Sequence, residues 1–137
     1  MKLNIDFKIK PKPPIKEKNI EDKIKKYLSS KNIFYYKSHG DPLQLNGLPD
    51  IICSIKGYFV GFELKRPTGK PQISQIVCGK SILDSKGIYV IVDNLEIVQQ
   101  ITELILKGKI KDVYPIMGYK TSDEFIKFVI KKYKIKI

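Results

Sequence analysis

Asp50, Glu63 and Lys65 are the residues of this chain best placed to do chemistry. Asp50 closes the run Gly47-Leu48-Pro49-Asp50, and Glu63-Leu64-Lys65 follows after two apolar runs split by Lys56-Gly57. Ile51–Ile55 and Tyr58–Leu64 are rich in β-branched and aromatic residues, which favour strand. Lys56-Gly57 suits a two-residue hairpin loop, with glycine supplying positive φ. That loop pairs Ile55 with Tyr58, Cys53 with Val60 and Asp50 with Glu63. Residues directly across an antiparallel pair share a face, as do residues two apart on one strand, so Asp50, Glu63 and Lys65 converge. Opposed carboxylates repel each other, and a hard cation such as Mg²⁺ or Mn²⁺ removes the conflict. Two carboxylates, a divalent cation and a lysine are the equipment of phosphodiester hydrolysis. Gly61 leaves one alternative open: a bulge there slips the register by one residue.

The elements around the hairpin decide whether that convergence can form. Met1–Pro14 alternates weakly and ends in Pro11-Lys12-Pro13-Pro14, an edge strand or extended arm followed by a stiff break. From Ile15 to Lys31 the residues Ile20, Ile24, Tyr27 and Leu28 follow helical spacing. Ile33–Lys37 reads as a short strand, and His39–Pro49 as a loop of the kind that carries function. Ile73–Ser85 is predicted to be a helix with Ile73, Ile76, Val77 and Leu83 toward the sheet, stopped by Gly87. Ile88–Val92 is a continuous apolar strand, parallel to the second hairpin strand because a helix joins them. Leu95–Lys107 is a second amphipathic helix. Val113–Met117 reads as a short strand, and a Thr121…Glu124 capping box opens a last helix. The order αβββαβα is an α/β fold, with helices flanking a mixed central sheet. At 137 residues the chain makes one domain, 1–137, with a core at about 15–107 and a strand/helix extension at 108–137.

The net charge of +12 is unevenly spread. Residues 1–37 hold 11 Lys and 4 acids, and residues 107–137 hold 9 Lys and 3 acids. Between them, residues 38–106 hold 6 bases and 7 acids. A near-neutral centre between basic flanks fits a catalytic core held on a polyanion by its edges. A genome of skewed base composition also yields chains rich in Lys and Ile. Cys53 and Cys78 lack metal-ligand spacing and read as reduced thiols of a cytoplasmic protein. No signal peptide or membrane span is visible. Ser54, Ser74 and Cys78 have no histidine partner, which disfavours nucleophilic catalysis.

Taken together, Glu17-x-x-Ile20-Glu21-x-x-Ile24-x-x-Tyr27-Leu28, Gly47-Leu48-Pro49-Asp50-Ile51-Ile52 and Phe62-Glu63-Leu64-Lys65-Arg66-Pro67 form a recognisable pattern. With Gly69-Lys70, Gln75 and Gly87 after them, it resembles the VRR-NUC branch of the PD-(D/E)XK nuclease superfamily over about residues 15–100. Glu21 to Lys37 is also similar to archaeal Holliday-junction resolvases, which usually carry Arg where this chain has Lys37. The resemblance implies a restriction-endonuclease-like αβββαβ core. It also implies that Asp50, Glu63 and the Leu64 carbonyl ligate Mg²⁺ or Mn²⁺ and that Lys65 orients water or stabilises the transition state. A helical Glu completes the set. Glu17 fits the VRR-NUC register and Glu21 the resolvase register, and the sequence does not separate them. Gln75 matches the family's helix glutamine beside the catalytic centre. Stand-alone members of the branch look phage- or prophage-associated and are often homodimers, an arrangement suited to paired cuts in branched DNA.

Each residue also has a plainer reading. Asp50 can be a turn residue, Glu63 and Lys65 a solvated strand face, and Gln75 a surface residue. Lys37, Ser38, His39, Arg66 and Lys70 are candidate DNA contacts or ordinary surface groups. Tyr35-Tyr36 suits strand packing better than base stacking. The expectation is a Mg²⁺- or Mn²⁺-dependent DNA endonuclease of Holliday junctions or other branched DNA. The alternatives are a non-catalytic nucleic-acid-binding module on the same fold and an RNA-cutting nuclease.

Overall fold

The computed structural model describes residues 17–39 and 45–136. The arm expected over Met1–Pro14 lies outside them. Helix α1 (Glu17–Ser30) buries Ile20, Ile24 and Leu28, one face at four-residue spacing. It ends where Asn32 turns left-handed (φ 59°) and the Ile33 amide returns to the Leu28 carbonyl at 3.0 Å. The chain then enters β1 (Phe34–Lys37).

Strands β2 (Ile51–Ile55) and β3 (Tyr58–Leu64) form the expected hairpin. Lys56 and Gly57 both take positive φ (53° and 85°), the arrangement of a type I′ turn that matches strand twist. Ile55 pairs with Tyr58, Cys53 with Val60 and Ile51 with Phe62. Gly61 makes no bulge: it pairs with Ile52, and a Cβ there would lie 2.6 Å from Pro49 Cγ. The glycine lets Pro49 pack onto β3, which brings the next residue, Asp50, to the end of the hairpin.

Helix α2 (Ile73–Asp84) leads to β4 (Ile88–Val92), which lies parallel to β3 as the crossover requires. The sheet order is β1-β2-β3-β4, antiparallel except for the last pair. Helix α3 (Leu95–Leu106) buries Val98, Ile101 and Ile105 and is capped by the Asn94 side chain. It joins α1 through Tyr27, whose hydroxyl donates to Glu103 at 2.6 Å. The molecule is thus mixed α/β, a four-stranded mixed sheet flanked by helices. Among the described residues no helix is long and apolar enough to cross a membrane.

Three expectations change. Helix α2 turns Ile76, Gly79 and Leu83 inward and leaves Ile73 and Val77 50% and 61% exposed. Its phase follows Gly79, where a Cβ would meet the Tyr89 ring at 2.6 Å, and Gln75, which reaches down to the sheet. After α2 the left-handed residue is Lys86 (φ 73°), one before Gly87. Val113–Met117 is a helix, α4, after a 3₁₀ turn at Ile110–Asp112. The i,i+4 pair Val113 and Met117 faces the core, and Gly118 (φ 95°) closes it.

The capping box holds. Thr121 Oγ1 accepts from the Glu124 amide, and Glu124 carboxylate accepts from the Thr121 amide, opening α5 (Ser122–Tyr133). Phe125 and Val129 are buried, and Tyr119 donates to the Tyr89 carbonyl of β4 at 2.7 Å. The C-terminal segment therefore packs onto the open side of β4.

Candidate functional site

Pairing sums place Asp50 opposite Glu63 one step past the Ile51–Phe62 pair. Asp50 Oδ2 accepts the Leu64 amide at 2.8 Å, so the side chain lies across the end of β3. Ser38 holds the same corner. Its amide donates to the Asp50 carbonyl at 2.9 Å and its hydroxyl to the Pro49 carbonyl at 2.7 Å. Ser38, a candidate DNA contact or ordinary surface group, clasps the end of β1 to Pro49-Asp50.

Glu63 is 1% exposed, a burial that carboxylates show only when paired or functional. Its Oε2 accepts from Gln75 Nε2 at 2.8 Å and lies 3.6 Å from Lys65 Nζ. Its Oε1 is buried and accepts no hydrogen bond, and when the carboxyl is protonated it can share that proton with Asp50. Burial first, and the Asp50 carboxylate second, push its pKa up to about 8, with Lys65 opposing. Gln75 is aimed by its other end: Oε1 accepts the Gln72 amide at 2.7 Å at the start of α2. The residue is a helix cap and a partner of Glu63 at once.

Lys37 lies between two carboxylates, 3.5 Å from Glu21 Oε1 and 3.6 Å from Asp50 Oδ1. Glu21 also pairs with Lys25 at 3.0 Å and Lys18 at 3.5 Å. Burial works to raise the Glu21 pKa, but Lys25, Lys37 and Lys18 outweigh it and hold the carboxyl below its ordinary value. Glu21 thus approaches the site through Lys37. Glu17 begins α1, and its side chain lies outside the described residues.

The structure gathers Glu21, Lys37, Asp50, Glu63, Lys65 and Gln75 at one end of the sheet. Among the described residues no three His, Cys, Asp or Glu side chains cluster tightly enough to hold a metal by themselves. Asp50 and Glu63 make a pair, and Lys37 stands between that pair and Glu21. His39 packs edge-on against Tyr36, with ring centroids 6.3 Å apart. Arg66 and Lys70 are exposed beyond β3. Tyr36 is 44% exposed, whereas Tyr35 packs on the core.

Sequence reasoning missed Tyr89. It pairs with Gly61, two residues from Glu63 on the same face, and its hydroxyl is buried with no partner among the described residues. Burial raises its pKa first and the charge of Glu63 second. A tyrosine inside an otherwise aliphatic strand was the available signal.

The donor set suits a hard divalent cation. Its ligands are oxygens: Asp50 beside Lys37 at 3.6 Å, and Glu63 beside Lys65 at 3.6 Å with one oxygen that accepts no hydrogen bond. No family model, no curated protein and no solved structure matches the chain.

Proposed function

We propose that this protein is a metal-dependent nuclease of the PD-(D/E)XK type, close in pattern to the VRR-NUC branch, that hydrolyses phosphodiester bonds in branched DNA. One observation carries the reading: a fully buried Glu63 carboxylate, with Oε1 lacking a donor, faces Asp50. Structural carboxylates are buried with their acceptors satisfied, so the one unsatisfied oxygen, Glu63 Oε1 beside Asp50, supports a place for a cation.

Asp50, Glu63 and the Leu64 carbonyl would hold Mg²⁺ or Mn²⁺, with Glu21 or Glu17 as the helical acid. The bound ion supplies a lowered water pKa and offsets charge on the phosphate oxygens. The protein supplies the rest. The Leu64 amide and the Ser38 clasp fix Asp50. Gln75 fixes Glu63, and Lys65 presents an ammonium beside it to a phosphate whose charge grows in the transition state. Lys37 holds Glu21 and Asp50 in register and neutralises part of their charge.

The Lys37 ammonium also favours a second reading, a nucleic-acid-binding module without chemistry, because it already separates Glu21 from Asp50. A cleavage panel separates the two. Linear duplex, flap, fork and four-way-junction DNA, with matched RNA, are incubated with Mg²⁺, Mn²⁺ or EDTA. The expected result is metal-dependent cutting, fastest on a branched DNA. Binding without cutting of every substrate in both metals would establish the second reading instead.

A further inference from the structure

We infer that the C-terminal segment, residues 110–133, forms a track for a single-stranded nucleic-acid segment that runs along α4 and α5 toward Lys65. Two cavities define it. One, of about 390 Å³, opens beside Lys65 and Arg66 at the end of β3 and is walled by Tyr133 and Phe128. The other, a shallow open groove of about 650 Å³, is lined from α4 and α5 and includes Tyr114. Gly118, Tyr119 and Phe128 line both, so the two adjoin.

Their walls join the two chemistries a single strand requires. Seven lining side chains are basic and two acidic. One of the acids, Glu124, is engaged by the amides of Lys120 and Thr121. Lys127 and Lys131 stand one helical turn apart on α5, and Lys111 faces them from the 3₁₀ turn. Two of these cations lie over aromatic rings, which a stacking base would uncover by drawing the ammonium to its phosphate. Lys120 Nζ lies 5.5 Å from the Tyr114 ring and Lys132 Nζ 5.4 Å from Phe128. Cations that track a backbone, interleaved with rings on which bases stack, are how sequence-neutral single-strand grooves work. A duplex keeps its bases stacked inward and has no use for the rings. An acidic peptide would use the lysines and leave the rings idle.

The end point at Lys65 rests on the nuclease reading; binding along the track does not. Binding is therefore measured in EDTA, by fluorescence anisotropy of a short labelled oligothymidylate, so that a protein that cuts nothing still tests the track. Replacing Lys111, Lys127 and Lys131 together by Ala should weaken binding at least tenfold and lower the salt slope by about 2, from roughly 0.7 per lost phosphate contact. A control protein losing Lys23 and Lys26 on the exposed side of α1 should change far less. Tyr114→Leu should weaken binding about tenfold, and Tyr114→Phe should restore it. Thermal unfolding of each variant confirms that it is folded. Unchanged affinity in the folded triple variant would overturn the track. So would equal affinity for an abasic strand of the same length, or displacement by polyglutamate as effective as by unlabelled oligothymidylate.

Discussion

Asp50→Asn should lower metal-dependent cleavage by about 10³-fold or more while leaving the fold intact, the equivalent of about 4 kcal/mol of lost transition-state stabilisation. Asparagine keeps the acceptor that receives the Leu64 amide, so the end of the hairpin stays closed. What it loses is the negative charge opposite Glu63. Asp50→Ala loses both, leaving the Leu64 amide without its acceptor at a cost of about 1–3 kcal/mol. The contrast separates chemistry from architecture. Both variants should be inactive, but only the alanine protein should unfold measurably earlier. Initial rates on the best substrate of the panel, with thermal melts alongside, read both effects. An Asp50→Asn protein that cuts at the wild-type rate would remove Asp50 from the chemistry.

Glu63→Gln should stabilise the metal-free protein in alkali and change it little in acid. In the folded protein Glu63 keeps its proton up to about pH 8, well above the ordinary value of 4.5. Folding therefore takes up a proton between those two limits. The wild-type protein is at its most favourable below the lower limit and loses stability as pH rises through the window. At about pH 9 it carries a buried charge that Lys65 offsets only in part, and glutamine removes that charge at nearly equal volume. The gain should be roughly 2–5 kcal/mol at about pH 9 and close to nothing at about pH 4. Urea unfolding in EDTA at the two pH values measures it. If the variant is no more stable than wild type in alkali, Glu63 is not a strained carboxylate.

The same two residues show how far the sequence could be read. Asp50 and Glu63 could be paired on paper because Lys56-Gly57 suits a two-residue turn and, without a bulge at Gly61, the register follows from it. The parallel placement of β4 and the Thr121 capping box were legible for similar reasons, being local chemistry or chain handedness. The contacts that set the site were not legible. Lys37 reaches Glu21 and Asp50 from a different element, and Ser38 binds Pro49 across a loop. Neither contact leaves a trace in spacing. The phase of α2 is not legible in the sequence, because Ile73 and Val77 look like core residues while packing is decided by Gly79 against Tyr89 and by Gln75. Val113–Met117 looked like a strand on composition, but five residues offer no periodicity strong enough to choose.

The central claim is that Asp50 and Glu63 form a site for a divalent cation. Calorimetric titration of the protein with Mn²⁺ near neutral pH tests it most directly. Wild type should bind Mn²⁺ saturably with release of protons, because Glu63 must give up its own to become a ligand. Asp50→Asn should show no such binding. A wild-type protein that takes up no Mn²⁺, or an Asp50→Asn protein that takes it up equally well, would contradict the account.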